Sequence, residues 1–93
     1  MKNQVTTIYK QAERLAEITK KFIISGNVNR AKKCLLIADQ FLQNGSNETK
    51  NAVSNVYIFS VSTFMEFHRI SISNLFPQNL KLEYNNQINT LAV

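Results

Sequence analysis

Two glycines and one proline are the only strong helix-breaking residues in this chain of 93 residues. They are Gly26, Gly45 and Pro77, and they divide the sequence into four long uninterrupted segments. An all-β domain needs turn residues between many short strands, whereas few breakers favour helices. The length fits one domain, and 44% of the residues are hydrophobic. We therefore predict a single all-α domain over residues 1–93, built as a small helical bundle.

The first two segments predict an antiparallel helical hairpin, because only about three residues join two amphipathic stretches. We expect the first helix at about Gln4–Ile24, ended by Ser25-Gly26, and the second from an Asn27 N-cap to about Asn44. In both stretches apolar residues recur every three or four positions, which places them on one helix face. The first stripe is Val5, Ile8, Ala12, Leu15 and Phe22, with Thr19 in the gap. The second is Val28, Ala31, Leu35, Ala38 and Leu42, widened by Cys34, Ile37 and Phe41.

The third segment is apolar nearly all round, which is typical of a helix covered on several sides. It opens at Ser46 or Asn47 and runs to about Arg69. Its stretch from Val56 to Phe64 is rich in β-branched and aromatic residues, so a strand is the alternative. About twenty residues without Gly or Pro exceed a typical strand, and this length favours a long central helix.

Beyond the third helix the pattern is irregular at 70–74 and then breaks at Phe76-Pro77, because the residue before a proline avoids the helical region. Pro77 suits the first position of a helix. A short amphipathic C-terminal helix follows. Its apolar residues are Leu80, Tyr84, Ile88 and Leu91.

The predicted hairpin also carries a characteristic order of large and small residues. Its first helix carries the large residues Leu15, Ile18 and Phe22, and a turn at Gly26-Asn27 follows. Its second helix carries a small, a large and a small residue: Ala31, Leu35 and Ala38. Residues 12–45 thus resemble one tetratricopeptide-type hairpin. Thr19 occupies a position where that motif has a Gly-like residue, and no Pro closes the unit at Gln43. No second copy follows, although an array needs about three, so the resemblance implies one hairpin packed on the rest of the chain.

Three further segments extend the resemblance to the whole chain. They are Gly26-Asn27 with Arg30-Ala31-Lys32-Lys33-Cys34, then Lys50-Asn51-Ala52, and the ending Leu75-Phe76-Pro77, Leu80 and Glu83-Tyr84. With these segments the chain is similar to a family of short hypothetical bacterial proteins known only as a domain of unknown function. The resemblance implies no activity and no catalytic residues.

The residue types that carry catalysis are few and isolated. His68 is the only histidine and Cys34 the only cysteine, so neither has the companions that a metal site or a catalytic pair requires. We interpret His68 as solvent-facing or hydrogen-bonded and Cys34 as a small buried hydrophobe. The two isolated glycines form no phosphate-binding loop. We expect a non-enzymatic protein with no cofactor and no metal.

The N-terminus and the most apolar stretch of the sequence indicate where the protein is located. No apolar run of a secretory signal follows Met1, and the stretch from Val53 to Phe67 is too short and too polar to span a membrane. The expected location is the cytoplasm, without a membrane partner.

The net charge of +5 is concentrated in the first half of the chain. Residues 1–50 contain nine Lys and Arg against four Asp and Glu, whereas residues 51–93 contain two of each kind. The hairpin turn brings five cations to one end: Lys20, Lys21, Arg30, Lys32 and Lys33. These cations are either a solvated surface or a site for an anionic partner, since a helix N-terminus with Arg and Lys receives carboxylate or phosphate.

The apolar surplus of the third helix likewise has two interpretations. It packs inside the monomer against the other helices, or part of it is an exposed face that forms a homodimer or docks on another protein. Both remain open at the level of sequence.

The leading functional hypothesis is a non-enzymatic protein-binding module that docks the five-cation corner and an adjoining apolar groove on an acidic protein partner. The alternative is a small inhibitor or accessory protein, of the kind carried by phages and mobile elements, that binds a nucleic-acid-processing enzyme. Direct DNA or RNA binding is the third hypothesis. It is weaker, because the C-terminal helix offers several Asn but only Lys81 for phosphate, and phosphate neutralisation supplies most of the affinity.

Leu35→Ala tests the predicted hairpin. Leu35 lies between two small residues of the second helix, where the helices approach most closely. We expect the free energy of unfolding to fall by about 2–5 kcal/mol because a cavity remains. Chemical denaturation of both proteins measures this, and a change below about 1 kcal/mol would place Leu35 outside the core.

Overall fold

Glycine turns and a proline separate the main helices in the computed structural model, which describes the backbone of residues 4–92 and the side chains of residues 7–89. Within those limits there is no strand, so the helical interpretation of Val56 to Phe64 is confirmed, as is the all-α class. The helices are α1 (Gln4–Ile24), α2 (Val28–Asn44), α3 (residues 47–67), α4 (Ile72–Leu75) and α5 (Gln78–Ala92). In α3 the segment Val53–Ile58 is π-helical, between α-helical turns at Asn47–Ala52 and Phe59–Phe67.

The turn between α1 and α2 is a Schellman motif that depends on Gly26. Its φ of 80° lies in the left-handed region, where glycine carries no steric penalty. The amide of Asn27 donates to the carbonyl of Phe22 at 2.8 Å, and the amide of Gly26 donates to that of Ile23 at 3.1 Å. The side chain of Asn27 then accepts from the amide of Arg30, so the predicted N-cap of α2 is confirmed.

The turn between α2 and α3 requires glycine for a different reason. A Cβ atom on Gly45 would come within 2.6 Å of the Phe41 carbonyl oxygen and 2.8 Å of Thr49. Ser46 is the N-cap of α3, since its hydroxyl accepts from the amide of Thr49. The short turn makes α2 antiparallel to α3, as α2 is to α1.

The third helix ends two residues before the predicted boundary. Arg69 has a φ of 59°, and the amide of Ile70 donates to the Met65 carbonyl at 2.8 Å, which makes a second Schellman motif without glycine. The predicted irregular stretch contains the single turn α4. Pro77 directly precedes the first residue of α5 instead of occupying it, and its carbonyl accepts from the amide of Lys81.

The core lies where α1, α2 and α3 meet, with α5 closing one side. Small residues on each helix, such as Ala16, Ala38 and Ala52, are almost fully buried and allow close approach of the helix axes. The large buried side chains come mainly from α3 and include Tyr57, Ile58, Val61 and Met65, with Leu35 from α2 and Leu80 from α5. Cys34 is buried as a small hydrophobe, as predicted.

A hydrogen-bonded chain crosses this core from α3 to α1. The hydroxyl of Thr19 donates to the carbonyl of Leu15 at 2.8 Å. Its oxygen lies 2.8 Å from the hydroxyl of Tyr57. Because a hydroxyl has one proton to donate, Tyr57 must donate to Thr19. Both side chains are fully buried, so each depends on the other to satisfy a polar atom away from water.

Side-chain hydrogen bonds from two other helices hold α5 in place. Asp39 of α2 accepts from the amide of Leu80 at 3.0 Å and from the side chain of Asn79 at 3.4 Å, so it caps the N-terminus of α5 from outside that helix. Gln87 donates to the carbonyl of Ser54, in the π-helical segment, at 2.8 Å.

The predicted apolar stripes are only partly buried. Val28, Ile37 and Phe41 of α2 are each nearly half exposed, because α1, α3 and α5 cover one side of this helix and leave its outer side bare. In α3, Phe59 and Phe67 are 63% and 82% exposed, whereas Val61, Ser62 and Met65 between them are buried. Val5 and Leu91 lie outside the residues whose side chains are described.

Thr19→Val tests the buried hydroxyl pair. Valine has nearly the same shape but leaves the Tyr57 hydroxyl buried without a partner, so we expect a loss of about 1–3 kcal/mol in the free energy of unfolding. Thr19→Ser keeps the hydroxyl and removes one methyl, and it should cost less than Thr19→Val. Urea denaturation distinguishes the two. Equal losses would mean that volume, and not the hydrogen bond, matters at this position.

The pH dependence of stability in alkaline solution tests the same pair through the phenol of Tyr57. Burial raises the pKa of the Tyr57 phenol, and the hydrogen bond to Thr19 offsets only part of that effect. The neutral form is therefore favoured in the folded state, and this stabilisation is lost as pH rises above the unfolded value of about 10. We expect the free energy of unfolding to fall by up to about 1.4 kcal/mol per pH unit there. In Tyr57→Phe this slope should be shallower; an unchanged slope would assign it to other groups.

Candidate partner-binding surface

The five predicted partner-binding cations lie at the end of the hairpin nearest its turn, but on different sides of it. Lys20 faces α3: its ammonium group lies 2.9 Å from Glu17 and 5.9 Å from the ring centre of Phe64. Lys21 is the next residue of α1 and is exposed. A helix turns by about 100° per residue, so Lys21 points away from α3.

The three cations of α2 divide between two sides of that helix. The guanidinium of Arg30 lies 5.9 Å from the ring centre of Phe22, which places it on the side of α2 that borders α1. Lys33 follows three residues later and shares that side. Lys32 lies about 200° around the axis from Arg30, on the side where Asp39 meets α5.

The outer surface of α2 continues from these cations into apolar residues. Lys33, Ile37 and Phe41 follow at intervals of four, and Arg30 lies one turn before them, so the four form one row. Ile37 is 46% exposed and Phe41 48% exposed. We name this row, Arg30, Lys33, Ile37 and Phe41, the basic–apolar stripe. It combines positive charge at one end with uncovered apolar surface at the other.

Neither cation of the stripe forms an ion pair with a described carboxylate. Among the described side chains, the pair of Lys20 with Glu17 is the one ion pair. Glu13 and Glu17 lie on the side of α1 that borders α3, and Asp39 is engaged with α5. The charges of Arg30 and Lys33 are therefore available to a partner, and they attract carboxylates or phosphates.

A small pocket lies at the apolar end of the stripe. It has a volume of about 120 Å³ and lies between the first turns of α1, the last turns of α2 and the beginning of α3. Phe41 forms one wall, and most of the remaining lining is apolar: Ile8, Ala12, Leu15, Ala52 and Val53. The ring of Tyr57 forms part of the floor, while its hydroxyl is bound to Thr19. The pocket thus suits an apolar group.

A second concave region is a wide groove of about 680 Å³ between α1 and α3. Its apolar lining consists of Val56 and Phe59, and its α1 wall carries Lys10, Glu13, Arg14 and Glu17. Two cations and two carboxylates alternate on this wall and largely cancel. The groove therefore lacks the uncompensated charge that distinguishes the stripe, although Phe59 makes it the second candidate surface.

Residues with catalytic or metal-binding chemistry do not gather elsewhere in the described part of the chain. His68 is exposed and rests against the rings of Phe64 and Phe67, with ring centres 4.4 and 5.2 Å away. Tyr84 donates to Glu66, and partial burial together with that carboxylate raises the pKa of Tyr84 to about 12. Between residues 7 and 89, no three His, Cys, Asp or Glu side chains lie close enough to hold a metal ion.

Sequence reasoning identified the cations of the stripe but not its apolar half. Ile37 and Phe41 were expected to widen the buried face of α2, because their spacing fits that face as well as the outer one. The available signal was the width of the apolar arc. Nine apolar positions, among them the half-exposed Leu36, span more of α2 than neighbouring helices can cover, and this excess predicts an uncovered side.

Comparisons with known proteins bear on family alone. None of the described helices combines the length and hydropathy that crossing a bilayer requires. No curated protein and no solved structure matches the chain. The family model described as a domain of unknown function (DUF7674) matches residues 2–90, nearly the full length. This chain therefore belongs to the DUF7674 family.

Proposed function

We propose that this protein is a non-enzymatic binding module that docks its basic–apolar stripe on an acidic protein partner in the cytoplasm. The single observation that supports the proposal is the continuity of the stripe. Two cations that form no ion pair with a described carboxylate and two half-exposed large apolar side chains follow one another on the outer side of α2. Apolar burial supplies affinity, and the charges supply orientation and a faster encounter.

The contributions of the other cations follow from their contacts. Lys21 and Lys32 lie at the same end of the hairpin as the stripe, although on other sides of it, and they add to the positive potential that steers an acidic partner. Lys20 contributes less, because Glu17 already neutralises it. We include the tetratricopeptide-like hairpin in this proposal. Its two packed helices, α1 and α2, together form one continuous outer surface.

Charge reversal at Arg30 and Lys33 tests the proposed function. Acidic residues in the first turns of a helix suit its dipole, so Arg30→Glu with Lys33→Glu should leave the unfolding temperature unchanged or slightly higher. Binding to an acidic partner should weaken by about 10²-fold, because each reversal replaces attraction with repulsion. Capture from the native cell, identification by mass spectrometry and titration of the identified partner measure this effect.

Lys10→Glu with Arg14→Glu is the matched control. It changes the net charge equally, but its positions lie in the groove between α1 and α3. Loss of binding in the control with retention in the stripe variant would transfer the function to that groove. If the captured material is nucleic acid and its affinity falls steeply and linearly with log salt, direct nucleic-acid binding replaces the proposal.

A further inference from the structure

We infer that the partner of the stripe is an acidic amphipathic helix that inserts one large apolar side chain into the pocket beside Phe41. This inference rests on the proposed function and names the structural class of its partner. The pocket and the stripe share Phe41, so a ligand that lies along α2 reaches both. No separate site is required.

The pocket has the size and polarity of a site for one side chain. An apolar cavity of about 150 Å³ holds a benzene ring, and this pocket measures about 120 Å³. That volume suits Leu, Ile or Met and is far too small for a cofactor, whose sites start near roughly 300 Å³. The Tyr57 hydroxyl faces Thr19, and Gln11 and Thr49 are the two remaining polar residues of a mostly apolar lining, so a charged head group would lose more hydration than the pocket replaces.

The length of the stripe matches a helical ligand. Arg30 and Phe41 are eleven residues apart, or about 16 Å at 1.5 Å per residue. A helix laid along α2 therefore places carboxylates at one end and its anchor about two to three turns away. Helix-in-groove recognition likewise lays the apolar face of an amphipathic helix along a partner surface.

Charge complementarity favours another protein over a second copy of this chain. The occupant needs several carboxylates without interspersed cations. Within residues 7–89, the acidic pair Glu13 and Glu17 is interrupted by Arg14 and followed by Lys20. On α3 the carboxylates Glu48 and Glu66 are 18 residues apart, and the other described helices carry at most one carboxylate each. A second copy thus lacks the required pattern.

The test uses the full chain and a fluorescein-labelled synthetic helix of about 18 residues, long enough to be helical. Its first two turns carry three Glu, and its last two carry Leu four positions apart. A second peptide with the reverse order covers the opposite orientation. Fluorescence anisotropy should show saturable binding for one of them, and Glu→Lys or Leu→Ala versions should bind at least about tenfold more weakly.

Variants of the protein locate the anchor. Ala12→Leu fills the pocket and should weaken binding at least about tenfold while thermal unfolding confirms a folded protein. Phe41→Ala removes one wall without adding volume and should have the same effect. Leu82→Ala is the matched control, since Leu82 is a large side chain on α5 that is 54% exposed, and its affinity should be unchanged.

Four results would overturn the inference. Two concern the peptides: neither binds saturably up to about 1 mM, or Ala12→Leu and wild type bind with equal affinity. The other two concern different partners: sedimentation velocity shows a concentration-dependent dimer that Phe41→Ala abolishes, or a single-stranded oligonucleotide displaces the peptide at lower concentration. The native-partner experiment separates the two proposals. If partner capture depends on Arg30 and Lys33 while neither peptide binds, the proposed function stands and this inference fails. If capture does not depend on them, the proposed function itself fails.

Discussion

The buried hydrogen bond between Tyr57 and Thr19 is the constraint on which the rest of the structure depends. It joins the middle of α3 to the C-terminal third of α1, and the Thr19 hydroxyl donates in turn to the Leu15 carbonyl. Apolar contacts tolerate small shifts, but a buried hydroxyl pair does not, because misalignment leaves polar atoms without partners. The pair thereby sets the position of α3 against the hairpin. The π-helical segment of α3 contains Tyr57 and also presents the Ser54 carbonyl to α5.

The placement of α3 and α5 explains where a partner-binding surface is available. Both helices cover the same side of the hairpin, and Asp39 anchors α5 there through its helix N-terminus. The opposite side of α2 has no neighbour among the described helices. Apolar residues that a wider bundle would bury, Ile37 and Phe41, are consequently half exposed beside two cations that have no ion-pair partner among the described carboxylates. The proposed function is thus a consequence of incomplete coverage of an apolar arc.

The sequence predicted the chemistry of the candidate site but only some of the residues that form it. Lys and Arg in the first half of the chain indicated an anionic partner, and the hairpin turn brought five of them to one end. Lys20 nevertheless turns toward Phe64 and Glu17, and Lys32 lies on the side of α2 where Asp39 meets α5. Helical spacing gives the direction of a residue around its own helix. It does not say which direction a neighbouring helix will occupy, so Arg30 and Lys33 were not distinguished from the others.

Local signals in the sequence by themselves determined the helical class and the bounds of α1 and α2, because Gly26, Asn27 and Gly45 act through backbone geometry and capping within a few residues. The tertiary structure alone decided that Thr19 is buried, since its role depends on a hydroxyl 38 positions away. It also decided that α3 ends at Phe67 and that Ile37 and Phe41 face outward. Those outcomes depend on which surfaces pack against each other, and periodicity in one helix carries no information about the position of the next.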